Sequence, residues 1–193
     1  SNGNIVKFDV SNFDETQAAV DDILKQNGSI DALVNNAGMT ADGLFIMMPR
    51  KDWDAVIDIS LSGFYNVTKP VLEKMVRLKR GSIVSIASVA GLLGNRGQAN
   101  YSAAKAGVSN FTQWLAVHMA QEYSPNIRVN AITPGGVYND HDDDFVQRYS
   151  ARAVMGRMAE KNEMNGALLF LASDASQYMK GDNLVVDGGW IVC

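Results

Sequence analysis

Residues 82–132 read SIVSIASVAGLLGNRGQANYSAAKAGVSNFTQWLAVHMAQEYSPNIRVNAI. Ser82 to Ile86 is a short apolar run, which predicts a buried strand. Gly91 to Asn100 reads as a glycine-rich loop, and Tyr101 to Gln121 as a long helix. Ile127 to Ile132, rich in apolar and β-branched residues, reads as a second strand. Strand, loop, helix and strand in that order form a βαβ unit and predict a parallel sheet.

The pattern extends outward in both directions. Asn4 to Val10 reads as a strand ending in Asp9, and Asp14 to Gln26 as an amphipathic helix capped by Asn12 or Ser11. Ile30 to Val34 reads as a strand running into Asn35-Asn-Ala-Gly38. Asp52 to Lys79 predicts a long helix with a kink or break at Pro70. Beyond Thr133-Pro-Gly-Gly-Val137, the polar stretch 139–159 reads as a lid containing one or two short helices. Glu163 to Leu171 predicts a helix, and Leu184 to Val186 a last short strand before Asp187-Gly-Gly189. No repeat or linker divides residues 1–193, so a single α/β domain is expected.

Composition narrows the function classes. A hydrophobic share of 47%, a charged share of 20% and a net charge of −4 fit a globular protein and give no footprint for nucleic acid. No apolar run reaches the length of a membrane span. The one cysteine, Cys193, has no intrachain partner, which points to a reducing compartment and, with no targeting segment, to the cytoplasm.

Tyr101 and Lys105 lie at i and i+4, so they project from one helix face. An ammonium held there favours the phenolate and is expected to lower the tyrosine pKa, suiting the phenol to give and take a proton. Ser88 offers a hydroxyl to the oxygen of a reacting carbonyl or alcohol. Asp9, the Asn35–Gly38 loop, Ser88 and Pro134–Val137 all follow strand ends, where open parallel sheets bind ligands. Tyr-x-x-x-Lys alone is a weak pattern whose ordinary explanation is an aromatic beside a snorkelling lysine.

Taken together in order, Asp9-Val10, Asn35–Gly38, Ser88, Tyr101-Ser-Ala-Ala-Lys105, Pro134-Gly135 with Val137, and Val186–Gly189 resemble the short-chain dehydrogenase/reductase family. The resemblance implies a Rossmann-like doubly wound parallel sheet and an NAD(P)-dependent enzyme. Residues 30–110 are most similar to the β-ketoacyl carrier-protein reductases, and Pro134 to Trp190 is equally similar to members acting on sugars. By resemblance, Ser88, Tyr101, Lys105 and Ser60 are the catalytic positions. Asp9 and Val10 contact the adenine end of the cofactor, and Asn36, Ala37 and Gly38 line its groove. Lys105 also bonds the nicotinamide ribose, beside Tyr101, while Pro134, Gly135 and Val137 hold the nicotinamide. The implied cofactor is NADP(H) ahead of NAD(H), and the implied assembly is a homodimer or tetramer. The implied substrate is a carbonyl compound, small or carried on a protein, with a role in fatty acid biosynthesis. A sugar or other secondary-alcohol dehydrogenase is the alternative. A non-catalytic truncated remnant unable to bind dinucleotide is the other.

Departures from the family pattern accompany the likeness. The glycine-rich phosphate turn is not in the sequence, so the sheet is expected to be truncated at the N-terminus, without the first two strands. Ser60 stands where the family places asparagine. Gln121-Glu122 stands where carrier-protein reductases often place arginine, although Lys79 and Arg80 remain as basic contacts for an acidic partner. Asp140-His-Asp-Asp-Asp144 reads as a solvated acidic loop, with no metal site expected. His118 reads as a surface or packing residue, and the apolar tail Trp190–Cys193 as a frayed end or a contact with another subunit.

Overall fold

The computed structural model describes residues 3–192; Ser1, Asn2 and Cys193 lie outside the described residues. The chain runs α1 (Phe13–Asn27), β1 (Ala32–Asn35), α2 (Arg50–Ile57), α3 (Gly63–Leu78), β2 (Gly81–Ile86), α4 (Ala99–Glu122), β3 (Ile127–Pro134), α5 (Asp143–Arg152), α6 (Asn165–Ala172) and β4 (Asn183–Val186). The four strands form one sheet in the order β1-β2-β3-β4, every pair parallel. Successive strands are joined by helical crossovers, as parallel pairing demands.

Alternation along the central strands divides the core between the two faces of the sheet. Ile83, Ile127 and Val129 pack with Val20 of α1, Val71 and Met75 of α3, and Leu115, Ala116 and Met119 of α4. Val84 and Ile132 point the other way, onto Leu171 of α6. Burying each such branched side chain contributes roughly 1.5–3 kcal/mol, which is what keeps helices on both faces. Arg128 is buried beneath α6, where its guanidinium donates to the carbonyls of Leu171, Ser173 and Ser176.

Asn4–Val10 is not a strand. It joins no ladder among the described residues, and Ile5 is 96% exposed. Ile5 and Val6 suit a strand, but strand preference is realised only against a neighbour. The segment is instead anchored at its end, where the Asn66 side chain donates to Val10 O (2.9 Å) and Ser11 O (3.3 Å). α1 starts where expected: Asn12 caps it, accepting from the Asp14 and Glu15 amides.

The long helix expected over 52–79 is continuous from Arg50 to Leu78 apart from one π-turn, and no break falls at Pro70. α3 runs through Pro70, held by the burial of Val71 and Met75. The irregularity is a π-turn at Asp58–Ser62, where the Gly63 N–H reaches back five residues to Asp58 O. Leu61 within it packs over Gly107 of α4, where an added Cβ would sit 3.1 Å from the leucine.

Candidate active site

The carboxyl ends of β1, β2 and β3 open onto one rim. β2 ends at Ile86, and Ser88 follows as the first residue of a short turn, its Oγ accepting from the Ala90 N–H at 3.2 Å. That turn lies against α4. A Cβ placed on Gly91 would be 2.7 Å from both Ala106 N and Lys105 C, so only glycine permits the approach. α4 delivers Tyr101 and Lys105 to the same place, one helical turn apart.

Lys105 is buried, and its Nζ donates to Ile86 O at 2.6 Å. Burial lowers its pKa to about 8. Its ammonium lies 5.7 Å from the centre of the Tyr101 ring. Tyr101 does not behave as its spacing from lysine predicts. Its pKa is raised, chiefly by burial; a hydrogen bond with the Ser88 side chain opposes this, and the charge of Asp42 adds to it. The ammonium is held on the Ile86 carbonyl and over the ring face, so desolvation decides the direction.

The opposite wall comes from the loop after β1. A Cβ on Gly38 would fall 3.5 Å from Lys105 Nζ and 3.6 Å from Ser60 Oγ, so this bare backbone forms a cradle beside both. Ser60, buried in the π-turn, accepts from the Met39 N–H at 3.2 Å and pins the loop. Asn35 Nδ2 donates to Thr68 Oγ1 at 2.9 Å and ties the loop to α3. Asn35, Asn36, Ala37, Ser60, Lys105 and Val10 all border one cavity of about 250 Å³, whose remaining wall is mostly apolar side chains. Asp9 and Val10 border a second cavity with Ala37. The Asp9 carboxylate accepts from the Ser11 N–H (2.9 Å) and hydroxyl (2.8 Å), which lowers its pKa.

Pro134 ends β3, and the Gly135 N–H donates to Val186 O at 3.0 Å. Val137 bridges Ala159, so this segment is stitched to the far end of the lid. The Gly136 N–H donates to the Tyr149 hydroxyl at 2.6 Å. Tyr149, on α5, stacks on Trp190 with ring centres 4.2 Å apart, and the Arg152 guanidinium lies over that indole at 4.4 Å. Trp190 is therefore packed within the chain. In the acidic stretch, Asp142 caps α5 through the Phe145 N–H and Asp144 pairs with Arg148. His118 stacks on Trp114 at 4.8 Å.

Ser88, Tyr101, Lys105, Ser60 and Gly38 are thus neighbours around one cleft, Tyr101 beside Ser88 and Lys105, and Lys105 beside Gly38, while Lys105 and Ser60 border the same cavity as Asn36, Ala37 and Val10. Pro134, Gly135 and Val137 reach the same rim from the adjoining strand, where the Ala87 N–H pairs with Ile132 O. Tyr149 and Asn100 escaped the sequence reading. The only local signal for Asn100 was a buried-type amide immediately before Tyr101. Tyr149 sits in a polar stretch and gave none.

A family model described as enoyl-(acyl carrier protein) reductase matches residues 1–191. A 3-oxoacyl-acyl-carrier-protein reductase of Thermotoga maritima is 39% identical over 96% of this chain and 76% of its own length. The enzyme of the same description from Chlamydia muridarum is 41% identical over 97% of this chain and 77% of its own. Among solved structures, a gluconate 5-dehydrogenase of Burkholderia cenocepacia, in complex with NADP and tartrate, superposes with a TM-score of 0.91. It is 32% identical, and the match covers 96% of this chain and 74% of that one.

Proposed function

The chain belongs to the short-chain dehydrogenase/reductase family, whose members are NAD(P)-dependent oxidoreductases, and from that premise we propose that it reduces the 3-oxo group of an acyl thioester carried on an acyl carrier protein. The observation that carries the proposal is the convergence of Ser88, Tyr101 and Lys105 on one cleft, with Lys105 buried and bonded to Ile86 O. The curated relatives described as 3-oxoacyl reductases support the substrate class.

The residues present fit the nicotinamide end of a dinucleotide. The bare Gly38 backbone faces Lys105 and Ser60, and the cavity of about 250 Å³ opens beside Asn36 and Ala37. Lys105 would hold the ribose hydroxyls, Asn36 to Gly38 would line the groove, Pro134, Gly135 and Val137 would hold the nicotinamide and its carboxamide, and Asp9 with Val10 would border the adenine end. When bound, the cofactor supplies the hydride, and NADP(H) is favoured because the solved relative holds NADP.

The protein's own part is proton transfer. Ser88 donates to the substrate oxygen and orients it. Tyr101, its pKa raised, is a neutral phenol at pH 7 and gives its proton to that oxygen as the alcohol forms. Lys105, with a pKa of about 8, is charged at pH 7 but close to exchange, so it stabilises the phenolate and passes on a proton. Ser60 fixes the Gly38–Met39 loop beside the lysine.

The same proposal includes a cytoplasmic setting and a homo-oligomer joined through α3 and α4. There Tyr65, Trp114 and Tyr123 are about half exposed around a cavity of about 480 Å³. A second reading, oxidation of a sugar acid, is favoured by the gluconate 5-dehydrogenase likeness. Titrating with NADPH and NADH, then offering a 3-oxoacyl thioester or gluconate, separates the two. Tyr101→Phe should bind nucleotide but not turn over. If neither nucleotide binds at millimolar concentration, the reductase proposal fails and a non-catalytic remnant is what remains.

A further inference from the structure

Asn100 lies in the first turn of α4, one residue before Tyr101, and is completely buried. Its Nδ2 donates to Ala41 O at 3.0 Å and to Asp52 O at 3.1 Å, while its Oδ1 accepts from the Tyr101 N–H at 2.8 Å. A primary amide offers two hydrogens and a carbonyl oxygen, and here all are used on three separate segments. The first N–H groups of any helix have no partner within it. Gln98, which precedes α4, makes no capping bond through its side chain. Asn100 performs that task from inside the helix, for the backbone amide of Tyr101 itself.

The contact is the buried centre of a seam. Beside it the Gly43 N–H donates to Gly97 O at 2.8 Å and Gln98 Nε2 donates to Asp42 Oδ2 at 3.0 Å. The seam joins two unlike pieces. One is the chain that leaves Gly38 and Met39, the wall beside Lys105 and Ser60. The other is the turn that carries the phenol. Ala41 O and Asp52 O are backbone groups, so the one side chain able to bridge them to Tyr101 is Asn100. Aspartate would set an oxygen against two carbonyls, and leucine would remove all three bonds and leave the Tyr101 N–H without the acceptor it uses.

We infer that Asn100 is a positioning residue for proton transfer, holding the first turn of α4, and with it the Tyr101 phenol, in register with the opposite wall of the cleft. The inference rests on the proposed role of Tyr101 as proton donor. A misplacement of about 1 Å at a reacting group costs on the order of 100-fold in rate. Asn100→Ala should therefore lower kcat about 10- to 100-fold while the NADPH dissociation constant stays within about 3-fold of wild type.

The decisive measurement is the double variant. In single-turnover reduction of a 3-oxoacyl thioester, Asn100→Ala added to Tyr101→Phe should cost nothing further, because Asn100 acts through the phenol. A general loosening of the fold would depress the residual rate again. Asn100→Ser, which keeps an acceptor for the Tyr101 N–H but cannot span to both carbonyls, should fall between wild type and alanine. An unchanged kcat in the folded variants overturns the inference, as does an additive loss in the double variant. Failure of both single variants to fold also overturns it, because Asn100 would then be a stability determinant. Wild-type turnover that survives Tyr101→Phe, or no wild-type turnover at all, defeats the underlying reading instead and takes the inference with it.

Discussion

Replacing Lys105 with methionine isolates the cost of the buried ammonium. In the folded chain its pKa falls from 10.5 to about 8. Below pH 8 the lysine is charged whether folded or unfolded, and the folded protein bears the full cost of burying that charge. Between pH 8 and 10.5 the unfolded chain holds the proton and the folded chain does not. Stability therefore rises with pH through this window and levels off above it. At 1.36 kcal/mol per pH unit, the fall in pKa amounts to roughly 3 kcal/mol. Lys105→Met has no such cost, so it should gain on wild type at pH 7 and lose most of that relative gain by pH 10. The bond to Ile86 O and the change in packing add a constant that does not depend on pH. Urea unfolding of both proteins at pH 7, 8, 9 and 10 measures the difference directly. Tyr101 and Lys180, whose pKa values are also shifted, are present in both chains and largely cancel. A stability difference that stays flat across the series, or grows with pH in favour of methionine, refutes the reasoning.

Other substitutions probe the same rim. Asp42→Asn keeps an acceptor for Gln98 but removes the charge that helps raise the Tyr101 pKa. The alkaline limb of the rate profile should then move to lower pH, and a shift upward would contradict the electrostatic assignment. Gly91→Ala drives a methyl into the α4 backbone at 2.7 Å, where nothing can rotate away. It should cost about 1–3 kcal/mol in urea unfolding, and a loss well under that would show that the turn is free to lift. Tyr149→Phe leaves the Gly136 N–H without its partner, at a cost of about 1–3 kcal/mol. Hydrogen exchange at Gly136 should quicken, and unchanged protection would mean the hydroxyl is not what holds the segment.

The parts of the fold that could be read from the residues were those carried by repetition. Ile83, Val84, Val129 and Ile132 announce strands because β-branched residues concentrate in short runs bounded by turn residues. Asn12 announces α1 because a side-chain cap is local chemistry. The parts that were misread depend on partners distant in the chain. Ile5 and Val6 have strand preference without a strand to pair with. Pro70 is a breaker by itself, yet the core contacts of Val71 and Met75 carry the helix past it. The cleft was legible as a set of residues, but not in its electrostatics. The spacing of Tyr101 and Lys105 gives a shared face and nothing about desolvation, which turns the phenol's pKa upward. Asn100 and Tyr149 act through backbone groups of other segments, so their roles exist only once the chain is folded.

The π-turn at Asp58–Ser62 makes this chain sensitive to length as well as to identity. It holds one more residue than an α-helical turn. Removing any one of those residues would let α2 and α3 merge into a regular helix with its backbone bonding intact. It would also swing everything after it by about 100° around the axis. Asn66 would turn from Val10 and Thr68 from Asn35. In a scan of single-residue deletions, 58–62 should stand out as an intolerant island within a helix, while the exposed positions 139 and 140 absorb the same edit.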